Sequence, residues 1–349
     1  MATEHRGDGE PRIPGLDGVR ALAVIGVIAS HSGLMNIGWL GVDVFFGLSG
    51  YLITGILLRA KDADPSARQF FVPFYMRRAL RILPLAWSWA IIVCAYRGQF
   101  SHLGWYMSYL VNWLPRPPPP RDLGLYWSVS VEEQFYLLWP AIVFFGSRRT
   151  VWKAALGLIV LDVLLRLGFS LWPPAFATPQ WRDLASFARA DSLAVGALLA
   201  LREHQGGFGR EGRLAWPAAL GAFCGILLLR ALERRQLFPL LAYNFKWPLI
   251  AFGVGAFLLW VLTRQPRPLS WPWLAWIGKI SYGVYLIHGV FGAWLHQRFT
   301  LAQAPLIFAI QVGLTLPIAA FSWYFFESRI LRNKWRWPMP RVTGARARV

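Results

Sequence analysis

Apolar stretches long enough to cross a bilayer recur along nearly the whole chain. A hydrocarbon layer about 30 Å thick needs about 20 apolar residues in a helix, and no soluble core calls for such a run so often. Charged residues make up only 15% of the 349, and hydrophobic ones 56%. Soluble domains carry about 25% charged residues, so an ordinary soluble enzyme is excluded, as is a disordered basic tail for nucleic acid. The 20 tryptophans agree, since indole rings favour the headgroup level. The first apolar run has no small-residue cleavage site followed by a soluble domain, so it reads as a retained helix and not as a cleaved leader. The expected fold is all-α: a polytopic membrane protein with about ten spans, near 17–36, 39–58, 80–97, 126–146, 151–171, 185–201, 214–230, 246–263, 274–295 and 304–326. Segment 103–114 is too short to span and reads as an interfacial helix leading into the stiff run Pro117 to Pro120. The membrane domain is expected over 14–330, between an N-terminal tail 1–13 and a basic tail 331–349.

Ten spans put both termini on one side, and Lys/Arg counts say which. With both ends in the cytoplasm, the inner loops and tails hold 24 of the 36 basic residues and the outer loops hold nine. Arg20, Arg166 and Arg189 remain within spans. The net charge of +19 is then explained by anionic lipid at the inner leaflet, with no nucleic acid. A bacterial plasma (inner) membrane is the expected location. Cys94 and Cys224 sit in apolar runs and read as thiols without a disulfide.

Ionisable side chains inside spans are expensive and mark function. The first span holds Arg20 and His31. Eleven residues separate them, which returns them to one helix face about 16 Å apart along the axis. Arg20 falls near the inner end and His31 near the outer. Asp43 opens the second span at a level where it could orient that imidazole. Phe45-Phe46-Gly47-Leu48-Ser49-Gly50 follows, readable as a helix-packing surface or as a pore lining. Arg78 and Arg81 are expected at the start of the next helix, on one face beside its N-terminal amides, suiting phosphate or simply the positive-inside pattern. Trp127-Ser128-Val129-Ser130-Val131-Glu132-Glu133-Gln134-Phe135-Tyr136 places Glu132 and Tyr136 on one face and turns Glu133 about 100° away. Arg189 and Asp191 suggest an intramembrane ion pair, and Tyr285 and His288 share another span. His31, Asp43, Glu132, Arg189, Asp191 and His288 fall in the outer half, while Arg20, Arg78 and Arg81 fall at the inner mouth. A ligand with an anionic head inside and a reactive tip far across the membrane would use both. An acyl thioester of coenzyme A has that shape.

These motifs resemble, in order and over about 14–330, the acyltransferase 3 family of membrane O-acyltransferases. Arg20 and His31 match its Arg–ten residues–His pattern. Phe45 to Gly50 matches Phe-Phe-x-x-Ser-Gly, and Arg78 to Arg81 matches Arg-x-x-Arg. Trp127 to Tyr136 matches Trp-Ser-x-x-Val-Glu-x-Gln-Phe-Tyr, which favours Glu132 over Glu133. Arg189/Asp191 and Tyr285/His288 match Arg-x-Asp and Tyr-Leu-x-His. Phe326-Glu327-Ser328-Arg329 departs from the family, where Arg-Pro usually follows that Glu. The resemblance implies a ten-helix core that moves an acyl group, most often acetyl, from cytoplasmic acyl-CoA to a hydroxyl. Acceptors are mostly sugars of cell-surface or exported glycans and glycolipids; some members acylate macrolides. Some members carry a fused extracytoplasmic esterase-like domain. This chain stops about twenty residues after the last span, so the membrane core or a separate extracytoplasmic transferase would complete the transfer.

The expected mechanism has Arg78, Arg81 and Arg20 holding CoA phosphates. His31 is general base, or is itself transiently acylated. Asp43 or Glu132 orients the imidazole. Ser49 and Tyr136 are candidate oxyanion donors, and Arg189, Asp191, Tyr285 and His288 line the pore or substrate path. Trp39, Trp105, Trp113 and Trp127 could stack on a sugar or form a membrane belt. Acyl-CoA enters only as a co-substrate, with no resident cofactor. The six histidines show no close metal-ligand spacing. A proton-coupled transporter is the rival class, and it would show inverted repeats or paired broken helices.

Overall fold

The computed structural model describes residues 13–116, 118–173 and 178–340. No strand occurs among them. Ten helices of 14 residues or more follow in order: α1 Pro14–His31, α2 Leu40–Lys61, α3 Ala67–Arg97, α4 Tyr126–Phe145, α5 Arg148–Leu171, α6 Asp191–His204, α7 Glu211–Arg234, α8 Pro239–Arg264, α9 Pro272–His296 and α10 Ala304–Ser322. Local chemistry sets several ends. Ser66 and Gln69 form a reciprocal cap at the start of α3, and Gly98 closes it with φ +64°, a conformation glycine adopts without penalty. Ser147 caps α5 by accepting from the Thr150 amide.

Among the described residues, six helical segments are long and apolar enough to cross a membrane: α2, α3, α5, α7, α8 and the stretch Leu301–Arg336 that contains α10. The long helices outside that set are α1, α4, α6 and α9. Together they carry Arg20, His31, Glu132, Asp191, Tyr285 and His288. Their polar residues lower their hydropathy, and packing compensates. The closest partnerships are α2 with α6, α7 with α8, and α1 with α9. The spanning window of α2 is 61% buried within the bundle, whereas α5 and α7 are each 17% buried. Among the apolar helices, α2 therefore sits inside the bundle, while α5 and α7 lie at its outer face, where hydrocarbon is the solvent.

Four expectations needed correction. The third span does not begin at 80: α3 starts at Ala67, where Ser66 caps it, so Arg78 and Arg81 lie within the helix and not at its N-terminal amides. Segment 103–114 is not one helix. It divides into Leu103–Met107 and a 3-10 turn at Val111–Trp113, because Tyr109 takes a left-handed backbone (φ +57°) between them. The sixth span does not begin at 185. A 3-10 turn at Ser186–Ala188 precedes α6, which starts at Asp191. Fourteen residues give α6 a length of about 21 Å, short of a full crossing. Of the run Pro117 to Pro120, Pro117 lies outside the described residues, as do most of the two tails, 1–12 and 341–349. Residues 331–340 fold back against the bundle instead of trailing from it.

Candidate functional site

The Phe-Phe-Gly-Leu-Ser-Gly segment of α2 serves both uses that its sequence allows. A Cβ on Gly50 would overlap the Leu193 carbonyl, and one on Gly196 would overlap the Gly47 carbonyl. Glycine thus lets α2 and α6 touch through their backbones. On the opposite side of α2, Phe45, Phe46 and Ser49 line a cavity of about 1060 Å³. That is at the top of the usual range for small-molecule sites, about 300–1,000 Å³. Lining residues on α2 run from Val42 to Ile56, a depth of about 21 Å at 1.5 Å per residue. The cavity is tall and narrow, as a long thin ligand requires.

The mouth is cationic. Arg20, Arg77, Arg78, Arg81, Lys279, Arg332 and Lys334 line it, against the carboxylates of Asp17 and Glu132. Arg20 pairs with Asp17 at 2.7 Å. Arg78 lies over the Tyr136 ring at 5.7 Å, and Arg81 over Trp323 at 5.2 Å. A guanidinium face held by a ring, as that of Arg78 is, turns its planar N–H edge to where an anion can meet it. Ile13, Leu331 and Met339 border the same cavity, so both described chain ends lie at its mouth.

Glu132 and Ser49 stand midway. Ser49 Oγ donates to Glu132 Oε1 at 2.6 Å, which commits the hydroxyl proton expected for an oxyanion. Tyr136 lines the same wall one turn away, whereas Glu133 is absent from the lining and its Oε1 is buried without a hydrogen-bond partner. At the end away from the mouth, Ser128 and Tyr285 close the cavity with their hydroxyls 2.5 Å apart. Ser128 Oγ also donates to the Leu125 carbonyl. It has one proton, so the Tyr285 hydroxyl donates to Ser128.

Beyond Tyr285 lies a histidine pair. His31 Nδ1 is 2.9 Å from His288 Nε2, and the rings stack with centroids 5.1 Å apart. His288 Nδ1 is 2.7 Å from the Tyr285 carbonyl. A carbonyl only accepts, so His288 Nδ1 carries the proton, and neutral His288 presents a lone pair at Nε2. His31 Nδ1–H must donate to it, which leaves His31 Nε2 with a lone pair. His288 is fully buried and His31 is exposed. Gln311 Nε2 donates to the His288 carbonyl at 2.9 Å, and His296 Nε2 donates to the His31 carbonyl at 2.6 Å. Three residues outside the pair thus hold it: Tyr285 at the His288 ring, and Gln311 and His296 at the two backbones.

Neither Asp43 nor Glu132 hydrogen bonds to His31, so the orienting group is an imidazole and not a carboxylate. Asp43 instead accepts from Arg189 at 3.1 Å through both oxygens, and from Ser192. The Arg189 guanidinium lies over Trp247 at 4.1 Å and Trp127 at 5.1 Å. Asp191 does not pair with Arg189. It takes Arg166 of α5 at 2.9 Å, and its amide donates to Asp162. Two residues apart at the start of a helix, the Arg189 and Asp191 side chains point different ways. The expected outer cluster is thus four units: His31–His288, Asp43–Arg189, Asp191–Arg166, and Glu132, which pairs with Ser49 in the cavity that Arg20 and Arg78 also line. Asp162 and Arg166 were legible in advance as an i, i+4 pair on one helix face. Ser128 stood in the Trp-Ser motif without an assigned role, and the residues of 331–340 gave no comparable signal.

Residues 13–325 match the family model for the acyltransferase domain of acyltransferase 3 proteins. The chain belongs to the acyltransferase 3 family. It is 30% identical over 322 residues to a Bacillus subtilis protein named "Putative peptidoglycan O-acetyltransferase YrhL", covering 81% of this chain and 49% of that one. It is 29% identical over 361 residues to the peptidoglycan O-acetyltransferase OatA of Listeria monocytogenes, covering 92% of this chain and 56% of that one. The chain thus spans about half the length of the curated relatives it matches. No solved structure matches it. With its several apolar helices it is a multi-pass membrane protein of that family. Among the described residues, no group of three or more His, Cys, Asp or Glu is placed to hold a metal ion. Cys94 is buried, Cys224 is exposed, and both are free thiols.

Proposed function

We propose that this chain is the membrane core of an O-acetyltransferase. It takes an acetyl group from cytoplasmic acyl-CoA and passes it to a hydroxyl of a surface glycan, peptidoglycan being the acceptor named for its relatives. One observation carries this reading: α1 presents Arg20 to the cationic cavity and His31, about 16 Å further along the axis, to an exposed site beyond it. Ten crossings with both termini in the cytoplasm, the sixth made by α6 together with the turn Ser186–Ala188 before it, fit the Lys/Arg bias and the position of both described chain ends at the cavity mouth.

In this mechanism Arg78 and Arg81 bind phosphate at the mouth, and the pantetheine arm runs along Phe45, Ser49 and Glu132. The thioester reaches the level of Ser128 and Tyr285. His31 Nε2 takes the proton of the acceptor hydroxyl as its oxygen attacks the acetyl carbon. The C–S bond breaks and the thiolate leaves toward the cytoplasm. His288 keeps the His31 ring oriented by accepting a hydrogen bond from its Nδ1–H, while its own Nδ1–H is held by the Tyr285 carbonyl. General-base help of this kind is worth roughly 10²–10⁴-fold in rate. A purified wild-type protein that transfers radiolabelled acetyl from acetyl-CoA to peptidoglycan fragments, and a folded His31→Ala variant that does not, would support the reading. A fully active, folded His31→Ala variant would overturn it.

A further inference from the structure

The last described segment lies across the cavity mouth. After α10 the chain makes a π-helical turn at Trp323–Glu327, a short helix Ser328–Leu331 and a 3-10 turn Arg332–Arg336. A π turn offsets the following residues around the helix axis, and such turns are common at functional sites. Here it carries Arg332, Lys334 and Trp335 onto the cavity wall.

Two indoles mark that wall, and they differ. Trp323 is 9% exposed, and its ring already has Arg81 and Lys279 each at 5.2 Å. Trp335 borders the same cavity but is 74% exposed, with Arg336 5.7 Å from its ring centre. A large, open aromatic face beside two cations suits a flat heterocycle that carries phosphate. The charges also exceed what a diphosphate needs. Arg78 and Arg81 of α3 with Arg20 of α1 form one group, and Arg332 with Lys334 on the returning segment form another.

We propose that Leu331–Met339 forms the nucleotide end of the donor site, with Trp335 stacking on the adenine ring and Arg332 and Lys334 binding the terminal 3′-phosphate. This rests on the acyl-CoA reading above and adds to it the residues that recognise the nucleotide. An indole at a membrane surface also suits headgroups. Its place on the wall of the cationic cavity favours the nucleotide.

The test is equilibrium binding of acetyl-CoA and of its 3′-dephospho form to the full-length protein in neutral-lipid nanodiscs. Wild type should prefer acetyl-CoA by about tenfold or more, the scale of a charge-assisted hydrogen bond. The double variant Arg332→Ala/Lys334→Ala should lose that preference. Trp335→Ala should weaken both ligands by roughly five- to hundredfold, the scale of base–aromatic stacking, and Trp335→Phe should recover most of it. If Trp335→Ala fails to fold, the double variant and Trp335→Phe decide. Wild-type affinity and preference in the variants would overturn the assignment. So would losses that appear only when phosphatidylglycerol is added, which would assign the segment to lipid. Wild-type protein that binds neither ligand would overturn the acyl-CoA reading itself.

Discussion

His31 and His288 are 257 positions apart in sequence, yet their ring nitrogens meet at 2.9 Å. The Tyr285 carbonyl fixes the tautomer of His288, and His288 in turn fixes that of His31. An imidazole partner is neutral at rest and cannot hold an imidazolium as a carboxylate does. It accepts one hydrogen bond and keeps the ring oriented.

His288→Ala is therefore expected to leave a folded protein that transfers acetyl roughly 10²-fold more slowly, by analogy with loss of general-base help. His288→Gln, which keeps an acceptor near the Nε2 position, should recover part of that loss. Initial transfer rates at saturating acetyl-CoA, with thermal melting as the folding control, check both. Equal rates for His288→Ala and wild type would show that the pair has no catalytic use.

The pair Asp43–Arg189 has a different standing. Both side chains are buried and satisfied mainly by each other. Removing one partner leaves a buried charge, typically a loss of about 3–5 kcal/mol. Asp43→Ala and Arg189→Ala should each lower melting temperature strongly in detergent, and the double variant should lose less than the sum. Additive losses would mean that the two charges do not support each other.

The contact of α2 with α6 depends on absent side chains. Gly50→Ala and Gly196→Ala each push a methyl into backbone, and overpacking of this kind costs about 1–3 kcal/mol. Lower melting temperature and lower yield of dispersed protein are expected. Gly98→Ala at the end of α3, where no atom lies within reach of a Cβ, tests backbone strain alone and should cost less than either.

How much of this was legible in the sequence follows from what each signal measures. Each of the ten long helices overlaps a segment read from apolar runs, but the third starts at Ala67 and not near 80, because residues 67–79 are helical without forming an apolar run. The sixth shifted because Arg189 and Asp191 tie the chain into a 3-10 turn before α6 starts, and hydropathy does not register a local turn. Arg20 and His31 were readable as two ends of one face, since helix periodicity alone gives that. Which groups pair was not. Asp43 and His31 lie at similar heights, but height along the bundle axis says nothing about the direction in which a side chain points. Asp43 faces α6, and its guanidinium partner reaches it flanked by Trp247 and Trp127. The role of 331–340 was hidden because a basic stretch after the last span reads as an ordinary cytoplasmic tail. Only the π turn at Trp323–Glu327 aims it at the cavity.

Arg78→Ala/Arg81→Ala should raise the KM for acetyl-CoA with little change in kcat, since the loss falls on binding of a remote anion. Each charge-assisted contact is worth about 1.5–3 kcal/mol, so an increase of at least a hundredfold is expected for the double variant. Steady-state kinetics against acetyl-CoA measures it. A fall in kcat at unchanged KM would place these arginines in the chemical step instead.

The most direct test of a two-ended site is binding and turnover of acetyl-CoA by purified protein in nanodiscs, for wild type, Arg78→Ala/Arg81→Ala and His31→Ala. The expected result is separation: the arginine variant loses binding, while the histidine variant binds as wild type does and does not transfer. Folded wild-type protein with no detectable acetyl-CoA binding, or a histidine variant that loses binding and turnover together, would contradict it.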